Sequence, residues 1–238
     1  MRTRRLIVSA VILMAAAAGC STSGGGSATA SPAPRPPATI PSDPAQALTA
    51  AHAQLGRENL RFAYDAGGGP LGFAGVVNAQ TGNWEITGKE YVVRRVGTDV
   101  YIRASGRTLA SLMVPAPTAD HLAAGGWVRT RLPNGHELMT VWNDDFPWNL
   151  AESASRGTGM HRTGSRSFSG TASLTNGKKV PLSVDLDGQG RFTKIRIGKD
   201  IMVFTFSDFG VPAGITAPPP GEVVVEDNPS FTASLGLV

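Results

Sequence analysis

Leu60-Arg61-Phe62-Ala63-Tyr64-Asp65 is followed by a break at Gly67-Gly68-Gly69-Pro70, after which Leu71, Phe73, Gly75 and Val77 resume the alternation. Successive side chains of a strand point to opposite faces, so a period of two on both sides of a Gly/Pro cluster reads as a β-hairpin. The same grammar continues along the chain. Gln80-Thr81-Gly82-Asn83 is a turn, Trp84 and Ile86 share a face, and Tyr91 to Val96 and Asp99 to Arg103 flank Gly97-Thr98. Trp127 to Leu132, Phe168 to Leu174, Val180 to Leu186, Phe192 to Ile197 and Ile201 to Phe206 read as further strands. The last four are separated by Asn176-Gly177, Gly188-Gln189-Gly190 and Lys199-Asp200, each a turn with a backbone reason. Tight turns rather than helices join successive strands, so about ten strands in an antiparallel sheet are expected.

Short helical pieces interrupt this pattern. Asp43 can cap a helix with Pro44 at its first position and Gly56 beyond its end, and Ala45, Leu48, His52 and Leu55 give it a modest apolar stripe. Leu109, Leu112 and Met113 suggest a helix ended by Pro115, and His121 to Ala123 belong to a piece that stops at Gly125-Gly126. A further helix is expected from Asp144 or Asp145 to Gly157. The fold class is therefore α+β, mainly β, with the apolar face of the sheet covered by short helices.

The first residues carry a different message. Arg2, Arg4 and Arg5 precede the apolar run Leu6 to Ala18, and Ala17-Ala18-Gly19-Cys20 closes it. Thirteen residues at a helical rise span about 20 Å, short of a roughly 30 Å hydrocarbon core, so the run reads as a secretory signal and not as a membrane span. Cys20 is the only cysteine of the 238-residue chain. A lone thiol in an exported protein calls for an explanation, and a thioether to diacylglycerol supplies one. The expected division is a signal peptide over 1–19, a lipidated cysteine and Ser/Gly/Pro-rich tether over 20–42, and one folded domain over 43–238. The expected location is the extracytoplasmic face of the cell membrane.

Charge and residue types narrow the functional classes. The formal charge of +4 comes from 22 basic and 18 acidic residues; without the three leader arginines it is 19 against 18, a net of +1. Nucleic acid is therefore not expected as a partner, since phosphate binding needs a concentrated surplus of cations. The histidines at 52, 121, 136 and 161 lie far apart and form no His-Glu-x-x-His motif, and there is no Gly-x-Ser-x-Gly elbow. Asp144-Asp145 reads as helix capping and Asp185 and Asp187 as strand-end and turn residues. Asp-Leu-Asp-Gly-Gln-Gly is too short for a calcium loop and lacks its glutamate. No enzyme activity, metal or cofactor is expected.

Several segments together resemble a known family. They are Val96-Gly97-Thr98-Asp99-Val100-Tyr101-Ile102-Arg103, Gly126-Trp127-Val128-Arg129, Phe168-Ser169-Gly170-Thr171, Pro181-Leu182-Ser183-Val184-Asp185-Leu186-Asp187, and Phe206-Ser207-Asp208-Phe209-Gly210-Val211-Pro212 with Ala217-Pro218-Pro219. The lipobox-like end of the leader and this order of strands, helical insertion and strands look like the LolA-like lipoproteins of actinobacteria, of the LprG and LppX type. The resemblance covers Asp43 to Val225. It implies a curved antiparallel half-barrel whose concave face is closed by helices over an apolar cavity, and a carrier or chaperone of acylated lipids or lipoglycans in the envelope. The residues expected to face the ligand are Leu60, Phe62, Phe73, Val77, Trp84, Ile86, Val100, Ile102, Leu182 and Val184, with Cys20 as the lipidation site. The expected partners are the membrane, through acylated Cys20, and a hydrophobic lipid. The alternative is an envelope sensor or scaffold that binds a membrane protein through its surface.

Overall fold

Each alternating stretch becomes a strand of one open, curved sheet. The computed structural model describes residues 37–65, 67, 72–105, 116–131, 154–173, 177–199 and 202–226. Its strands are β1 (Leu60–Asp65), β2 (Phe73–Asn78), β3 (Asn83–Gly88), β4 (Tyr91–Val96), β5 (Asp99–Ala104), β6 (Trp127–Arg131), β7 (Thr158–Arg162), β8 (Ser167–Ser173), β9 (Lys179–Leu186), β10 (Phe192–Ile197), β11 (Met202–Ser207) and β12 (Val223–Val225). Their order across the sheet is β12-β6-β5-β4-β3-β2-β1-β11-β10-β9-β8-β7. Two meanders thus meet at the centre, where β1 pairs with β11 in the register Phe62 to Phe206 and Tyr64 to Phe204.

Register lines up the inward residues in rows. One row runs Phe62, Gly75, Ile86, Val93, Ile102, Val128, and the next runs Leu60, Val77, Trp84, Arg95, Val100, Thr130. Gly75 sits where it does because Phe62 needs the space: a Cβ on Gly75 would lie 2.2 Å from the Phe62 ring. Gly97 adopts φ of 61° between β4 and β5, a turn conformation that a side chain disfavours.

Two helices reach the inner face. Helix α1 (Pro44–His52) starts as expected, with the Gln46 amide donating to Asp43 Oδ1 at 2.8 Å and Pro44 in the first turn. Its buried stripe differs from the expected one: Ala47, Leu48 and Ala51 face the core and Ala45 is exposed. The small alanines let the helix approach closely, which outweighs the spacing of the larger residues. Helix α2 (Ala116–Ala123) packs against β5 and β6 and places Ala119 and Leu122 in the same apolar cluster, while α1 lies against β7.

Two strands were not expected, β7 and β12. Thr158–Arg162 is mostly exposed and carries no apolar alternation, so its sequence gives no signal. Strand β12 also departs from the antiparallel expectation, pairing in parallel with β6. The reason lies in residues 208–222, which form a strap across the outer face. The chain leaves β11 at the end of the sheet that holds the 79–82, 97–98 and 187–191 turns, here the near end. The strap then crosses obliquely, so β12 starts at the far end beside Trp127 and must run with β6. Alternate carbonyls of the strap accept side-chain donors: Val211 from Asn59 at 3.1 Å, Ala213 from Asn78 at 2.9 Å and Ile215 from Asn83 at 3.4 Å. Arg94 donates to Thr216 at 2.8 Å. The helices read over Leu109 to Pro115 and Asp144 to Gly157 lie wholly or largely outside the described residues, as do 1–36 and 227–238.

Described residues of the expected tether lie against the folded domain. Ala38 N–H donates to the Gly188 carbonyl at 2.9 Å, Arg162 donates to the Pro41 carbonyl at 2.7 Å, and Ile40 packs against the core. The chain therefore joins the sheet at its near end.

Candidate functional site

The ten residues expected to meet a ligand all share the inner face, and all are buried, from 0% exposure at Ile102 and Val184 to 6% at Phe73, Val77 and Trp84. They pack into one apolar cluster with α1 and α2. Phe62 and Phe73 meet edge to face at 6.4 Å, and Tyr64 stacks on Phe204 at 4.5 Å. These contacts fill the middle of the face.

The inner face opens at the far end of β3, β4 and β5. There the row of inward residues reads Phe73, Gly88, Tyr91, Ala104, so large and small side chains alternate. Gly88, Tyr91 and Ala104, together with Ala123, Ala124 and Gly125 at the end of α2, border an open space of about 530 Å³, with Lys89, Glu90 and Arg103 at its rim. Tyr91 is half-buried and its ring lies over Gly88, where a Cβ would come within 2.3 Å of it. Burial pushes the Tyr91 hydroxyl pKa above its usual 10.0, so the phenol is neutral and a donor at physiological pH. The hairpin is pinned from below, since the Ser105 amide donates to the Glu90 carbonyl at 2.7 Å. Chemically the opening offers an apolar floor, one phenolic donor and a rim with both signs of charge.

A second, smaller space of about 280 Å³ lies mainly on the outer face at the centre of the sheet. Ala63, Ala74, Val76, Thr87 and Thr205 line it, with Arg61 and Glu85 at its sides. Of the ten expected residues, only Phe62 borders either space.

No family model matches this chain, and no curated protein does. Among solved structures it is similar to an uncharacterized conserved protein from Thermus thermophilus, at 8% identity and a TM-score of 0.40, over 76% of this chain and 98% of that one. It is also similar to MucB in its complex with MucA(peri), at 16% identity and a TM-score of 0.31, over 75% of this chain and 58% of that one. Neither likeness carries a function across.

The other singled-out residues have structural work or lie elsewhere. The His121 Nε2–H points between the Trp127 and Glu222 carbonyls, 3.1 Å from each, and so ties α2 to the strap. His161 is exposed on β7, and His52 closes the last turn of α1. Asp187 accepts the Gln189 and Arg191 amides and pairs with Arg191 at 2.7 Å, and Asp185 pairs with Arg196 at 3.2 Å. Among the described residues no three His, Cys, Asp or Glu side chains are grouped to hold a metal, and no helix is long and apolar enough to cross a membrane. Cys20, His136, Asp144 and Asp145 lie outside the described residues. Sequence reasoning passed over Gly88, Tyr91, Ala104 and Ala123. The available signal was Gly88 itself, an inward glycine in phase with Trp84 and Ile86.

Proposed function

We propose that this chain is a membrane-anchored lipoprotein of the LolA-like kind, carrying a hydrophobic ligand, an acylated lipid or lipoglycan, in the cell envelope. Cys20 is its point of lipidation and the outer face of the cell membrane its location. The apolar tail of the ligand enters between sheet and helices at the far-end opening, beside Gly88, Tyr91, Ala104 and Ala123. The observation that supports this reading is that opening: about 530 Å³, at the margin of a continuous apolar face. Sites for small molecules typically measure about 300–1,000 Å³ and are mostly apolar with a few polar groups.

A fluorescent long-chain acid, 11-(dansylamino)undecanoic acid, tests the reading. The chain should bind it, and Ala123→Trp should weaken binding at least tenfold while the melting temperature holds. Ala124→Trp, at the rim, serves if the first variant does not fold. Unchanged binding in both would remove the ligand from this opening. Lipidation is tested separately by the mass of the chain isolated from bacterial membranes, where Cys20→Ser should lose a diacylglycerol increment.

A sensor or scaffold that engages a membrane protein through its surface is the second reading. The outer-face trough lined by Ala63, Ala74 and Thr205 favours it, since short side chains leave backbone-level space for a partner. A native mass spectrum without any bound amphiphile would shift the balance to it.

A further inference from the structure

We infer that the far-end opening selects amphiphiles with an anionic head, a carboxylate or phosphate held at the rim by Lys89 and Arg103 while the tail lies against Tyr91, Ala104 and Ala123. The inference rests on the carrier reading of that opening and adds the chemistry of the head group. Exposed lysines and arginines occur at both ends of the sheet. Lys89 and Arg103 differ from the rest in bordering an open space of about 530 Å³ that also has an apolar side.

Arg103 is built into its place. Its guanidinium lies 4.9 Å from the centre of the Trp127 ring, and Trp127 is only 4% exposed. The same indole carries Arg94 at 4.8 Å. Arg94 is fixed in turn, donating to Glu85 Oε2 at 2.6 Å and to the Thr216 carbonyl at 2.8 Å. The two guanidiniums therefore differ in charge balance: Glu85 neutralises Arg94, whereas Arg103 has no carboxylate partner among the described residues. A guanidinium stacked on an aromatic ring keeps its edge N–H donors available, and their fork matches a carboxylate or a phosphate.

The rest of the rim sets the sign of the ligand. Lys89 and Glu90 form the turn between β3 and β4, and both side chains are exposed. Glu90 is the one acid bordering the space, so two cations against one carboxylate leave a net charge of +1. A long-chain anion carrying a single charge balances it; a neutral or zwitterionic head does not. The Tyr91 hydroxyl supplies a further donor on the apolar side.

The test compares 11-(dansylamino)undecanoic acid with its methyl ester, the same tail without the charge, at neutral pH. We expect the acid to bind at least fivefold tighter, although the ester is the more apolar probe. Lys89→Gln with Arg103→Gln should bring the ratio of the two affinities to within twofold of unity. Lys179→Gln with Lys199→Gln, an equal charge change at residues that do not border the space, should leave it within twofold of the parent. Glu90→Gln, which removes the opposing charge, should raise the ratio about twofold. If the first double variant does not fold, Lys89→Gln alone should at least halve it. Equal affinity for acid and ester in the parent, the same ratio in both double variants, or a lower ratio in Glu90→Gln would overturn the inference and leave the carrier reading standing. Failure to bind either probe would overturn the carrier reading and this inference with it.

Discussion

The same inner face ends in two different ways. Across β8 to β11 it is filled by Phe168, Leu182, Val184, Phe192, Ile195 and Phe204, each at most 2% exposed. At the far end of β3 to β5 the inward row shrinks to Gly88 and Ala104 around a half-buried Tyr91, and a cavity remains. Both regions have apolar alternation. What separates them is side-chain volume at a few inward positions, since close packing leaves space only where no atom can reach.

The filled side should break hardest. Phe204→Ala removes the ring stacked on Tyr64 and should cost about 3–5 kcal/mol in urea denaturation, because a fully packed site collapses poorly onto the gap. A loss below about 1 kcal/mol would mean that this side is as slack as the other.

The two inward glycines sharpen the contrast, because they allow one substitution in two settings. A Cβ at Gly75 meets Phe62, whose ring is held edge to face by Phe73, so Gly75→Ala should cost about 1–3 kcal/mol. A Cβ at Gly88 meets Tyr91 just as closely, but that ring borders the cavity and can swing into it. Gly88→Ala should therefore fall within about 1 kcal/mol of the parent, the unfolded-chain entropy gain offsetting part of the shift. Equal costs at the two positions would erase the distinction.

The smallest effect is in alkaline titration. Desolvation raises the Tyr91 pKa; at Tyr64 desolvation and then the Asp65 charge do the same. A raised folded-state value means that stability is complete below about pH 10 and declines as pH climbs through the higher folded values. Tyr91→Phe should flatten that decline slightly, as read by thermal melts from about pH 9 to 11.5, and Tyr64→Phe should do likewise.

Period-two alternation made ten strands legible, and capping chemistry at Asp43-Pro44 made α1 legible. Strand β7 was not, because Thr-Gly-Met-His-Arg is an exposed edge with no buried side to write a pattern. Strand β12 was hidden for another reason: three valines carry no record of a strap that reverses the direction of pairing. The residues expected to meet the ligand do share one face, since parity alone fixes that. Whether a face is filled depends on neighbours from distant strands, such as Phe73 opposite Gly88 and Tyr91 opposite Ala104, and single-strand patterns do not contain that information.

The seam between β1 and β11 has a consequence for assembly. Strands β1 to β5 can zip up as consecutive hairpins soon after they are made, yet one side of β1 stays bare until β11, some 140 residues later, arrives to cover it. Such distant pairing delays completion and leaves a hungry backbone edge in the half-built protein. A chain that stops after β10 would keep that edge for good, and its fate should be clumping rather than a smaller stable sheet.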